Sequence, residues 1–299
     1  MTIGLPKALL YHRCGALWQA FFERLGCRVL VSDDTNQKIM AEGIALSVGE
    51  CCLPAKVFLG HVANLAGRCD AVFIPRYERL GKNEEFCVRF WGLPDVARNA
   101  FPGLPVLSCN RRGSELSGLL RLGPALGKSG AEIRRACRYA QKAQLAADAQ
   151  AMCLQREALM APGLKILLAA QPYIAHDPYI GGPLVRMLRE QGAMPLFADR
   201  CDRDLCRALS KRLSGDLYWT MNKEVIGAIP LLRPAIDGAI LVTAFPCGTD
   251  SLVNELVLRR VRDLPLAHIL LDEQQGDAGL RTRVECFVDI LKQRGRAHA

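Results

Sequence analysis

Short apolar runs alternate with segments of helical period along most of the chain, and the alternation occurs twice. Thr2-Ile3-Gly4-Leu5 reads as a strand, followed by a loop and an amphipathic helix over residues 16–25. Gly26 stops that helix, and Arg28-Val29-Leu30-Val31 reads as the next strand. The same succession returns as a strand over 165–170, a helix over 184–190, Gly192 as the stop and a strand over 194–197. Cys69-Asp70-Ala71-Val72-Phe73-Ile74-Pro75 then matches Ile236-Asp237-Gly238-Ala239-Ile240-Leu241-Val242. Both are continuous apolar runs, as expected of parallel strands covered on two faces. Pro105-Val106-Leu107-Ser108 and Ala267-His268-Ile269-Leu270-Leu271 supply one further strand each.

The pattern predicts an α/β fold of two Rossmann-like parallel-sheet domains, related as if by duplication. Between them, Ser129 and Glu132 form an S-x-x-E capping box, opening a helical stretch that runs to about Leu159 before Pro162-Gly163. The expected divisions are a first domain over 1–128, a connecting helix over 129–162 and a second domain over 163–299. A final helix is expected over 280–292, with a disordered tail from Arg294.

Composition narrows the class. Of 299 residues, 50% are hydrophobic and 23% charged, the balance of a globular domain. No apolar run reaches the ~18 residues of a membrane span. The first ten residues lack the charged-then-apolar order of a signal peptide, so a cytoplasmic protein without a membrane partner is expected. The net charge is +9, with pairs at Arg111-Arg112, Arg134-Arg135 and Arg259-Arg260. No nucleic-acid motif accompanies these pairs and few aromatics interleave with them, so no nucleic-acid partner is expected. Arg134-Arg135 reads as a solvated helix face.

Thirteen cysteines are many for a reducing compartment. They form no CxxC knots, so a zinc ribbon is not written here, and most read as buried small hydrophobes. Cys27 and Cys69 border strands, Cys137 and Cys153 lie on the long helix, and Cys286 lies on the last. Three others fall where open parallel sheets place their ligands, beyond the carboxyl ends of the strands. Cys52 precedes Leu53-Pro54, and proline favours the first helical turn, so Cys52 heads a helix whose dipole favours a thiolate. Cys247 lies in the turn Cys247-Gly248-Thr249-Asp250-Ser251 between a strand and a helix. Cys87 lies in a loop after the third strand, within a polar segment that includes Glu78, Arg79, Lys82, Asn83, Glu84 and Glu85. From pattern alone these three read about equally as ligands and as inert thiols, and Cys51 rivals Cys52.

Other motifs carry less. Gly127-Lys128-Ser129 lacks the earlier glycine and the leading strand of a phosphate loop. His61 reads as a hydrogen-bonded helix histidine, and His176-Asp177 before Pro178 as a turn and helix start. Glu50 and Glu273 read as solvated or capping glutamates.

Several blocks, in order, resemble one family. They are Ile3-Gly4-Leu5-Pro6 with Tyr11 and Leu17-Trp18; Gly49-Glu50-Cys51-Cys52-Leu53-Pro54-Ala55-Lys56-Val57 with Gly60-His61-Val62; and Phe90-Trp91-Gly92-Leu93-Pro94-Asp95. Asp177-Pro178-Tyr179-Ile180, Leu217-Tyr218-Trp219, Cys247-Gly248-Thr249-Asp250-Ser251 and Leu271-Asp272-Glu273 follow. Together they resemble the acyl-CoA dehydratase activase-related proteins, relatives of the 2-hydroxyacyl-CoA dehydratase subunits.

The resemblance implies a [4Fe-4S] cluster on Cys52, Cys87 and Cys247 in the interdomain cleft, with one iron open to an outside ligand. It implies a partner ATPase of the sugar-kinase/actin fold that carries its own cluster, and acyl-CoA as a possible substrate. The activity implied is a dehydratase or an ATP-coupled reductase component of anaerobic metabolism; no catalytic residue is assigned. Two positions depart from the family: Val88 stands where a proline is usual, and Gln274-Gln275 replace a His-Thr pair, removing an acid or base. The alternative reading is a metal-free CoA- or nucleotide-binding accessory module.

Overall fold

The computed structural model describes residues 1–81, 84–112, 115–273 and 276–297. Lys82, Asn83 and Gln274-Gln275 lie outside them. The chain forms two compact units, Met1–Ala149 with Tyr218–Thr220, and Gln150–Leu217 with Met221–Ala299.

The first unit runs β1 (Thr2–Leu5), α1 (Tyr11–Arg24), β2 (Arg28–Val31), α2 (Gln37–Ala45), α3 (Leu53–Leu65), β3 (Ala71–Phe73), β4 (Arg76–Gly81), β5 (Glu84–Glu85), α4 (Val88–Ala100), β6 (Val106–Leu107), β7 (Asn110–Arg112) and α5 (Glu115–Leu119). Its main sheet has the parallel order β2-β1-β3-β6. The chain leaves β1 toward β2 on one side and returns to β3 on the other, so the strand order reverses between β1 and β3. Against this sheet α1 packs Trp18 and Phe22, whose rings meet Phe73 edge-on at 5.5 and 5.0 Å. Gly26, at φ +79°, closes α1 in the left-handed conformation the sequence predicts.

A second, small sheet of order β5-β4-β7 was not legible in the sequence. It draws in Tyr218–Thr220: the Glu85 amide donates to the Tyr218 carbonyl (2.9 Å), and the Thr220 hydroxyl donates to Glu84 (2.7 Å).

The long helix α6 (Gly130–Met160) opens with the predicted box: the Ser129 amide donates to Glu132 (2.9 Å) and the Glu132 amide to the Ser129 hydroxyl (3.3 Å). Arg134 and Arg135 are exposed on it. The division between the units falls inside this helix, after Ala149.

The second unit runs β8 (Leu164–Ala169), α7 (Pro172–Ala175), α8 (Gly182–Glu190), β9 (Ala193–Phe197), α9 (Arg203–Ser210), α10 (Thr220–Leu232), β10 (Gly238–Ala244), α11 (Gly248–Arg260), β11 (Leu266–Leu271) and α12 (Asp277–Ala297). Its sheet has the parallel order β11-β10-β8-β9, with β10 buried throughout. The two sheets therefore share one topology, as the repeated pattern predicts. They also share a local device. Asp70, just before β3, accepts from the Thr2 amide at 2.6 Å, and Asp237, just before β10, accepts from the Lys165 amide at 2.6 Å. Each carboxylate pins the start of its central strand pair.

One element departs from expectation. The last helix starts at Asp277 and continues to Ala297, so the tail expected to be disordered from Arg294 is helical over 294–297. Among the described residues no helix is long and apolar enough to cross a membrane.

Candidate functional site

In a parallel sheet the crossover helices run opposite to the strands, so their N-termini collect at the carboxyl edge. At that edge α3, α4 and α11 are each headed by a cysteine in extended backbone: Cys52 (φ −65°, ψ 147°), Cys87 (φ −54°, ψ 141°) and Cys247 (φ −91°, ψ 108°). None of the three side chains makes a capping hydrogen bond to its helix.

Cys51 and Cys52 differ in their place relative to α3. Pro54 in the first turn starts α3 directly after Cys52, whose carbonyl accepts from the Ala55 (2.9 Å) and Lys56 (3.1 Å) amides. Cys51 precedes the helix and is buried. Burial pushes the Cys52 thiol above its ordinary range, outweighing the Ala55 amide; the nearby Cys51 and Cys87 add to the rise and Arg89 opposes it. The helix start was expected to favour the thiolate, but here desolvation wins. Cys52 and Cys87 thus stand close enough in the first unit to feel each other's charge.

The sequence placed Cys87 in a loop; it is instead the cap residue of α4. The small sheet delivers it there. The Phe86 amide donates to the Glu78 carbonyl (3.0 Å), while the Phe86 ring packs on Tyr77 and Phe90 at 5.2 and 5.8 Å. On the helix side the Trp91 indole donates to the Glu78 carbonyl (3.1 Å), and Arg76 binds the Trp91 carbonyl and the Asp95 carboxylate, both at 2.5 Å. Cys87 is held between two braced segments. Val88 is exposed at the first helical position.

Cys247 sits in the second unit. Its sulfur lies 3.4 Å from the Thr249 hydroxyl, and its carbonyl accepts from the Ser251 hydroxyl at 2.7 Å. Behind it is a buried cluster that pattern reading missed. Asp250 accepts at one oxygen from Gln171 (2.9 Å) and Asn222 (2.7 Å). Its other oxygen, and the side-chain oxygen of Gln171, have no hydrogen-bond partner among the described residues. Burial pushes the Asp250 carboxyl upward against these donors and the Cys247 thiol. Gln171 stands 79 positions from Asp250, so only the placement of Asp250 in the turn after Cys247 hinted at this cluster.

Among the described residues no three His, Cys, Asp or Glu gather closely enough to hold a metal ion. Of the three predicted ligands, Cys52 and Cys87 are brought near each other within one unit, and Cys247 belongs to the other. The expectation that most cysteines are buried holds for Cys14, Cys51, Cys109, Cys137, Cys201 and Cys206, but Cys27 and Cys69 are half-buried and Cys153 and Cys286 exposed. His61 is the hydrogen-bonded histidine expected, and Asp177 serves the turn, accepting from the Tyr179 and Ile180 amides at 2.8 Å. His176 instead pairs with Asp199 at 2.9 Å.

The class defined by this fold and site is a two-unit parallel α/β protein with cysteine-headed helices. Residues 2–200 match the family described as CoA enzyme activase uncharacterised domain (DUF2229), and the chain belongs to that family. The match includes Cys52 and Cys87 and ends before Cys247. No curated protein matches the chain. Among solved structures, a protein described as a two-component system response regulator/GGDEF domain protein aligns at 12% identity over 97% of this chain and 99% of its own, with a TM-score of 0.27. The SBP FpvC from P. aeruginosa in complex with Ni2+ aligns at 11% identity over 100% and 98%, also at 0.27. At that TM-score neither carries an argument about this chain.

Proposed function

We propose that this chain is an iron–sulfur redox component related to the 2-hydroxyacyl-CoA dehydratases, with a [4Fe-4S] cluster on Cys52, Cys87 and Cys247. Its role is ATP-driven low-potential electron transfer or radical acyl-CoA dehydration, alongside an ATPase of the sugar-kinase/actin fold. The observation that supports this most is that each of these cysteines heads a helix at the carboxyl edge of a parallel sheet.

The chemistry of three thiols, though not gathered as they stand here, suits such a group. Thiolates are its usual ligands, and coordination would remove the thiol proton that burial otherwise favours on Cys52. When bound, the cluster supplies a one-electron carrier. The chain's own part is to fix the cysteines: Pro54 starts α3 at Cys52, the Arg76–Asp95 pair braces α4 below Cys87, and Asp250 with Gln171 and Asn222 backs Cys247. The backbone amides at each helix start favour negative charge there, although Pro54 supplies none to α3.

The test is a set of single substitutions. Cys52→Ala, Cys87→Ala and Cys247→Ala each lose most of the iron and the visible absorbance of anaerobically purified protein. Cys137→Ser, buried on α6, retains both. Full retention by any of the three alanine variants removes that residue from the ligand set.

A further inference from the structure

The start of α9 sets two cysteines outside the proposed ligand set against each other. Asp202 caps that helix: its carboxylate accepts from the Leu205 amide and its carbonyl from the Cys206 amide, both at 2.9 Å. Cys201 therefore stands one residue before the cap and Cys206 at the fourth helical position. Those two positions face each other across a helix start, where an apolar pair ordinarily closes the turn. Here both members of the pair are thiols, and they hydrogen-bond to each other. We propose that Cys201 and Cys206 form a reversible thiol–disulfide modification site, oxidised by small-molecule disulfides.

The surroundings brace the pair from both sides. Gln155 of α6 exchanges hydrogen bonds with the backbone of Phe197 at 2.7 and 3.1 Å, and its amide nitrogen lies 3.8 Å from the Cys201 sulfur. On the other side α9 is seated on α10 at the residue that carries the second thiol. A Cβ on Gly227 would stand 1.9 Å from the Cys206 carbonyl oxygen and 2.8 Å from its Cα. Backbone is pressed on backbone there, so Cys206 has little room to retreat. A disulfide requires side chains that converge, and two thiols in mutual contact on braced backbone already do.

The two sulfurs are not equivalent. The hydrogen bond from Cys206 holds the Cys201 thiol below its usual range, with Gln155 assisting and burial opposing. The same bond, with burial, pushes the Cys206 thiol up. Cys201 also keeps 8% of its surface exposed against 1% for Cys206, and its neighbour Asp202 is exposed. Cys201 is thus the attacking sulfur. Its thiolate displaces one thiolate from the small disulfide and leaves a mixed disulfide on Cys201. Cys206 then gives up its proton and attacks the Cys201 sulfur, displacing the second thiolate. Two protein thiols become one disulfide, and their two electrons and two protons leave on two molecules of small thiol.

The pair includes none of Cys52, Cys87 or Cys247, so failure of the cluster reading has no bearing on the test. Full-length protein is incubated with oxidised glutathione, free thiols are alkylated, and trypsin cuts after Arg200, Arg203 and Arg207. Mass spectrometry should find the tripeptide 201–203 linked to the tetrapeptide 204–207 by a bond that dithiothreitol opens. That bond forms at least tenfold faster than glutathione adds to Cys137, a buried thiol that desolvation pushes up to about 11. Cys206→Ser stops after the first step, with glutathione on Cys201, and Cys201→Ser leaves Cys206 unmodified. Both cysteines recovered alkylated after Cys137 has reacted would overturn the proposal. So would a linked pair seen only in urea-unfolded protein, either cysteine joined to a different one, or glutathione held on Cys206 in Cys201→Ser.

Discussion

Gly60→Ala destabilises the protein by about 3 kcal/mol or more and displaces the helix that carries Cys52. A Cβ on Gly60 would stand 1.9 Å from the Ile39 carbonyl oxygen and 2.8 Å from its carbon; one on Gly43 would stand 2.0 Å from the Lys56 carbonyl oxygen. The contacts are reciprocal between α2 and α3, and the obstructing atoms are backbone, so no rotamer change relieves them. Overpacking a core ordinarily costs ~1–3 kcal/mol, and a clash against two rigid helices belongs at the top of that range. Alanine's helix-propensity advantage of ~1 kcal/mol over glycine is too small to offset it. Urea denaturation measures the loss, and Gly43→Ala behaves alike. A loss below ~1 kcal/mol would show that α2 can slide away freely.

Acid supplies the second large effect, through His61. Its ring is fully buried on α3, with Nδ1 2.8 Å from the Ser32 hydroxyl and Nε2 2.9 Å from that of Thr35. Burial lowers its pKa from 6.5 to about 3, aided by His12 and Lys7 and opposed by Asp34 and Asp33. The unfolded chain therefore takes up a proton below pH 6.5 that the folded chain refuses until about pH 3. The stability contributed is complete above pH 6.5 and is lost progressively as pH falls toward 3. At full protonation the loss is roughly 5 kcal/mol. Between pH 6.5 and 5, above the main carboxylate range, unfolding free energy falls more steeply in the native chain than in His61→Gln, where His268 still contributes a slope. Equal slopes in both would mean that His61 is not the group responsible.

Much of the fold was legible because its parts are local. Buried parallel strands are written as unbroken apolar runs, and Gly26, Gly192 and the Ser129–Glu132 box punctuate helices within a few residues of where they act. Cys52 was placed correctly because Pro54 marks a helix start. Cys87 was not, because Val88 gives no such mark and Pro94 lies inside α4, breaking the pattern that would announce a helix. The small sheet stayed hidden for another reason. Its central strand, Arg76–Gly81, is largely polar, and the segment that completes it lies more than 130 positions further on, where Thr220 meets Glu84 across 136 positions. The Asp250 cluster is likewise assembled from three distant segments, and no spacing in one chain encodes such a meeting. The last helix was cut short because its final residues are polar and basic, as a solvated tail would be.

Iron and acid-labile sulfide, measured on protein purified without oxygen, bear on the cluster most directly. The ligand set Cys52, Cys87 and Cys247 predicts a brown protein with about four irons and four sulfides per chain. Colourless protein containing neither, after cluster reconstitution with ferrous iron and sulfide, would contradict it.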